Sequence, residues 1–211
     1  MSNGVDLTPN DNIPKEVKDY YEKGIAAIKR ENYDYAVELF SAALALKQDF
    51  AEARYFLWFA LWEKQKKLSD PLKIRTALAK IIALFPTFKG LFLKKSGRAW
   101  EAIYQLEKAM KIDPGNTNTL NAIAECLLIE GQTLNAIKIL EAIPLIDNKN
   151  YKTLEKLGQL YKSIENYDKA RAYYQATLRV NPNDAEADRA IKDLDALKTL
   201  KGSFTNPQQN Q

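Results

Sequence analysis

Reactive side chains are scarce in this chain of 211 residues, which has no histidine and a single cysteine, Cys126. Without an imidazole, neither a Ser-His-Asp or Cys-His nucleophile nor a histidine-bearing zinc site can be assembled. One thiol forms no internal disulfide, and Cys126 lies in the apolar run IAECLLI, where a small buried hydrophobe is the expected role. The closely spaced acids Asp193 and Asp195 fall in a charged stretch and read as solvated surface. No glycine-rich phosphate loop and no metal-spaced cluster is visible. Catalysis is therefore not expected, nor a cofactor or a metal. What remains is recognition chemistry: the aromatics Tyr21, Tyr55, Phe56, Phe59, Trp62 and Phe88, with Lys94 and Lys95 close behind. Between Lys64 and Lys111 twelve basic residues face three acids, a local charge of +9 in a chain whose net charge is +4. A basic middle flanked by acidic ends suits an acidic partner or an anionic surface.

The elements that must hold these side chains repeat. Leu154, Leu157, Gly158, Tyr161, Ala170, Tyr174 and Pro182 have counterparts upstream, and segment starts at 17 and 51, and again at 117 and 151, are 34 residues apart. Within each segment the apolar positions fall on one helical stripe, as with Tyr20, Gly24 and Ala27, then Ala36, Phe40 and Ala43. Turn signals at Glu31-Asn32, Gly97-Arg98, Gly131-Gln132 and Glu165-Asn166 precede a small Ala by a constant offset. Asp113-Pro114-Gly115-Asn116 and Asn181-Pro182-Asn183-Asp184 separate successive segments. The chain resembles the tetratricopeptide repeat family over about 17–184, since that period and these small-residue slots are the family's pattern.

The resemblance implies an all-α solenoid of stacked antiparallel helix pairs. Repeats are expected at about 17–50, 51–84, 85–116, 117–150 and 151–184, a capping helix at 185–200, and disordered ends at 1–13 and 201–211. The middle is irregular: a helix bearing Ala77, Ile81 and Leu84 should end at Phe85-Pro86, and a short one over about 88–96 should follow. The third repeat then starts two residues earlier than a strict 34-residue step. No secretory signal is visible, and the longest wholly apolar run, Phe56 to Trp62, is too short to span a bilayer, so a soluble, cytoplasmic protein is expected.

In the family, the first helix of each pair lines a groove for a peptide, and in co-chaperones Lys, Asn and Arg there clamp a carboxylate tail. Here the groove slots hold Lys18, Tyr21, Glu22 and Ile25, then Glu52, Tyr55, Phe56 and Phe59. The later frame gives Asn118, Asn121 and Glu125, then Lys152, Lys156 and Gln159. No frame restores the clamp, and Glu22 and Glu52 would repel a carboxylate. The expected function is a non-catalytic protein-interaction module or scaffold. Its partner would be a protein or peptide, acidic with apolar anchors, and neither a chaperone tail nor nucleic acid. A membrane surface met through the basic middle, or end-to-end self-assembly, are the alternatives. Two readings of the aromatics stand at this point: a groove wall, or core covered by the irregular third repeat.

Overall fold

The computed structural model describes residues 13–68 and 74–205. Every regular element among them is a helix: α1 (Lys15–Lys29), α2 (Tyr33–Leu46), α3 (Ala51–Lys67), α4 (Ile74–Lys95), α5 (Ala99–Ile112), α6 (Thr117–Ile129), α7 (Thr133–Leu140), α8 (Ile143–Ile146), α9 (Tyr151–Ser163), α10 (Tyr167–Val180) and α11 (Ala185–Thr205). The expected segment 1–13 lies outside the described residues except for Ile13. The last helix continues to Thr205, beyond the expected 200, and 206–211 lie outside the described residues.

The turn chemistry that closes the pairs is one device used four times. Glu31, Gly97, Gly131 and Glu165 take positive φ, between 57° and 73°. After each, the next amide donates to a carbonyl five residues back, as in Asn32 to Ala27 and Asn166 to Tyr161. This is the left-handed residue and six-to-one bond of a Schellman stop. The chain then re-enters helix at once, with Asn32 and Asn166 accepting from the amides of Tyr35 and Lys169. Asn116, Asn150 and Asp184 cap α6, α9 and α11 in the same way, through Thr119, Thr153 and Ala187. These three caps are spaced by the 34 residues of the repeat.

The chain divides into two compact units, one running to Ala142 and the other starting at Ile143. In the second unit α9 pairs with α10, and α10 with α11. In the first, α1 packs on α2, α2 on α3, α4 on α5, α5 on α6 and α6 on α7. The second helix of the fourth repeat stops at Leu140 and resumes as α8, because Pro144 supplies no amide to the Leu140 carbonyl.

The middle corrects the sequence reading. There is no break at Phe85-Pro86: a single 22-residue helix, α4, carries Pro86 inside it. Pro86 withholds the amide that would reach the Ile82 carbonyl, yet the face containing Ala83, Pro86, Gly90 and Leu93 is buried. Continuous packing on α5 outweighs the lost bond. Ala77, Ile81 and Leu84, the apolar residues by which the sequence marked this helix, are all exposed. The second repeat so loses its own second helix, and α3 packs on α7 and touches α5. Among the described residues, Arg75–Lys95 is long and apolar enough, by length and composition alone, to cross a bilayer. Lys80 and Lys89 interrupt its apolar run, so a search for uninterrupted runs passes over it.

Candidate partner-binding surfaces

Helix α3 has the sequence AEARYFLWFALWEKQKK, apolar on nearly every side, as suits a helix with neighbours on two flanks. Toward the N-terminal pair, Phe56 stacks on Phe40 at 5.8 Å and meets the edge of Tyr21 at 5.9 Å. Toward α5 and α7, Arg54 is only 2% exposed and fully engaged. Its Nε donates to Glu107 at 2.7 Å, one terminal nitrogen to Asn135 Oδ1 at 3.2 Å, and the other to the Gln48 carbonyl at 2.6 Å. Asn135 closes the network by donating to the Asp49 carbonyl at 2.8 Å. Beside it, Trp58 Nε1 donates to the Pro114 carbonyl at 2.9 Å. An arginine buried this deeply persists because its charge is matched and its donors are used.

This arrangement sorts the expected site residues. Tyr21 is not a groove residue: it is 1% exposed and packed among Phe40, Phe50 and Phe56. Burial, then the nearby Glu52 carboxylate, pushes its phenol well above the usual tyrosine range. Tyr55, Phe56, Phe59 and Trp62 are half-buried and run along one side of α3. Tyr55 meets Phe56 at 5.3 Å, Phe56 meets Phe59 at 6.4 Å, and Trp62 stacks on Trp58 at 6.4 Å. Their inner edges are core and their outer edges reach solvent. Helix α3 packs on the first helix pair and on α7, and it touches α5, the second helix of the expected third repeat.

Phe88 and Lys95 sit apart on α4 and are exposed. Lys94, expected to steer a partner, is instead paired with Glu125 of α6. Around Phe88 lie the exposed Leu78, Ile81, Phe85 and Phe92. Their spacing of three and four was visible, but the assumed break at Pro86 divided the stripe. The sequence reading missed the Arg54 network. Its signal was a lone charge among the nine apolar residues of Ala53–Trp62, although its partners lie 53 and 81 residues away.

The second unit has an open cleft of about 600 Å³ beside α9 and α11, lined by Gln159, Lys162, Tyr174, Glu186, Arg189 and Asp193. Burial raises the Glu155 carboxyl above the usual range, reinforced by its hydrogen bond to Glu186 and by the charges of Glu186 and Asp184. Gln159 donates to Glu186 at 2.8 Å. Tyr174, under Gly158, is pushed up to about 12, by burial first and then by the two glutamates. Cys126 is buried, and burial pushes its thiol up to about 11, away from nucleophilic chemistry. No group of three or more potential metal ligands occurs among the described residues.

Helix pairs α1–α2, α4–α5, α6–α7 and α9–α10, each joined by a Schellman stop, make up an array that resembles known proteins. One model of the tetratricopeptide repeat matches residues 93–157, and a second matches 151–184. Anaphase-promoting complex subunit 7 of Arabidopsis thaliana is 22% identical over 190 residues, 89% of this chain and 34% of that protein. DnaJ homolog subfamily C member 3 of Bos taurus is 24% identical over 180 residues, 77% of this chain and 36% of that protein. The chain thus spans about a third of the length of these curated relatives. The first TPR of Spaghetti (RPAP3), solved with an HSP90 peptide, aligns with a TM-score of 0.50 at 21% identity over 57% of this chain and 95% of that one. The Sgt2 TPR domain from Aspergillus fumigatus aligns with a TM-score of 0.50 at 18% identity, over 61% and 87%. At these identities the structural likeness is one of fold. Residues 93–184 match models of the tetratricopeptide repeat, and the described chain is an all-α fold of helix pairs.

Proposed function

We propose that the chain is a non-catalytic interaction module that captures a protein partner through α3. Tetratricopeptide domains mediate protein–protein interactions, and the reading for this chain rests on one observation: Tyr55, Phe56, Phe59 and Trp62 form a half-exposed aromatic row on a helix pinned from both sides. Rigid aromatics with one edge in the core lose little side-chain entropy when the other edge is covered, which is the character of binding anchors. The partner surface would carry apolar anchors for this row and acidic segments drawn by the excess of cations between Lys64 and Lys111.

The test replaces Phe59 and Trp62 with Ala, singly and together. Partner recovery by affinity capture with crosslinking should fall by about tenfold, with the far-ultraviolet circular dichroism of the wild type retained. Loss of helix in the single variants would make the row core and remove this reading. Full recovery by the double variant would remove it as well.

A further inference from the structure

We propose that the outer face of α4 is a membrane-docking surface that lies in the plane of an anionic lipid interface. Leu78, Ile81, Phe85, Phe88 and Phe92 follow one another at spacings of three and four, so they form one continuous stripe about 21 Å long. All five are more than half exposed, Phe85 the most at 77%. The opposite face, with Ala83, Pro86, Gly90 and Leu93, is buried in packing on α5. The stripe is thus the ridge of an edge helix and not the floor of a groove, a shape that suits insertion into a soft surface better than reception of a peptide.

Charge selects the occupant. Helix α4 carries Arg75, Lys80, Lys89, Lys94 and Lys95 and no acid. Lys80 and Lys89 lie on opposite flanks of the stripe, where an interfacial helix places cations beside headgroup phosphates. A second copy is a poor occupant, since two such helices would bring together like charges with no carboxylate between them. A bilayer-spanning α4 fits no better. Lys80 and Lys89 would enter the hydrocarbon, and the helix would have to leave α5, where Gly90 packs against Leu106. An anionic surface satisfies both the aromatics and the lysines while α4 stays in place.

The experiment uses the full chain with phosphatidylcholine vesicles, with and without phosphatidylserine. Wild-type protein should sediment with the phosphatidylserine vesicles at low salt, be released at high salt, and stay in solution with phosphatidylcholine alone. The double variant Phe85→Glu, Phe88→Glu should lower the bound fraction about tenfold or more. Both positions are exposed, so its circular dichroism should remain that of the wild type. Lys89→Glu with Lys95→Glu should weaken binding and flatten its salt dependence.

Four outcomes overturn the proposal. Failure to sediment with either vesicle removes it, as does binding indifferent to both double variants. Binding that resists both salt and alkaline extraction would make α4 a span. Concentration-dependent association in light scattering, abolished by the phenylalanine variant and unaccompanied by vesicle binding, would assign the stripe to a second copy. None of these touches the α3 row, so the two proposals fail separately.

Discussion

At the level of single residues the fold depends on a few positions with unusual demands. The four left-handed turn positions are the clearest, because glycine occupies two of them and glutamate the other two. A residue with a Cβ in this conformation carries about 1–2 kcal/mol of strain. Glu165→Gly should therefore stabilise the protein by about 0.5–1 kcal/mol after the added chain entropy of glycine. Its thermal midpoint should rise by roughly 2–4 °C, whereas Gly131→Ala should lower it by a similar amount. Glu31 is a less clean site, since its ion pair with Lys67 would also be lost. Arg54 poses the opposite case, a buried charge whose value lies in being matched. Arg54→Ala strands Glu107 and Asn135 and should cost about 2–4 kcal/mol in denaturant unfolding, toward the lower part of the range for broken buried pairs because Glu107 is partly solvated. Arg54→Ala combined with Glu107→Ala should recover part of that loss. A strictly additive double variant would show that Arg54 acts by packing alone.

At the level of helices, the most constrained contact is α4 on α5. A Cβ at Gly90 would stand 2.6 Å from the Leu106 side chain and 3.2 Å from the Ala102 carbonyl oxygen. The carbonyl cannot rotate away, so Gly90→Ala should separate the helices and cost about 1–3 kcal/mol, measurable by chemical denaturation. An unchanged midpoint would mean that α4 is loosely held. Gly90 also shows how far the sequence was legible. Gly24 and Gly158 occupy small-residue slots of the repeat, and a Cβ there would meet Phe40 and Tyr174. Gly90 plays the same part, but the register slips by two residues before it, so it matched no slot. Local signals were readable: Asn caps, turn offsets and small residues lie within a few positions of what they bond. The Pro86 signal misled because continuous packing on α5 overrides a single missing amide. The α3–α7 contact and the Arg54 network left no local trace, since nothing near residue 54 encodes Asn135. The aromatic row was found correctly as a row, and its depth was decided by neighbours that the repeat pattern does not specify.

At the level of the whole molecule, the absence of histidine sets the response to pH. Side chains that ordinarily titrate between about pH 6.5 and 8.5 are His and Cys. The chain has no His, and its one thiol is pushed up to about 11. Its thermal midpoint should accordingly stay flat to about pH 8, above which ionisation of the thiol in the unfolded chain begins to lower it. A shift of several degrees in that flat range would reveal a titrating group of another origin. Below it, two sets of carboxyls oppose each other. Asp49 and Glu31 are held below their ordinary ranges, chiefly by hydrogen bonds from Lys47 and Lys67. They bind protons more weakly folded than unfolded, so what they add to stability is complete above the ordinary carboxyl range and is lost as pH falls through it. Glu155 and Asp113 are raised, chiefly by burial. They bind protons more tightly folded, so their ionisation destabilises the protein as pH rises past the ordinary range, and acid relieves it. The opposition should leave the acid limb shallow until the lowered pair is protonated. Glu155→Gln isolates one side of this balance, because its amide can still donate to Glu186 while the charge is gone. The variant should melt roughly 1–2 °C above wild type at pH 7. That gap should close below about pH 4, where the wild-type carboxyl is itself protonated. A gap that persists at low pH would assign the effect to shape and leave the Glu155–Glu186 repulsion without weight.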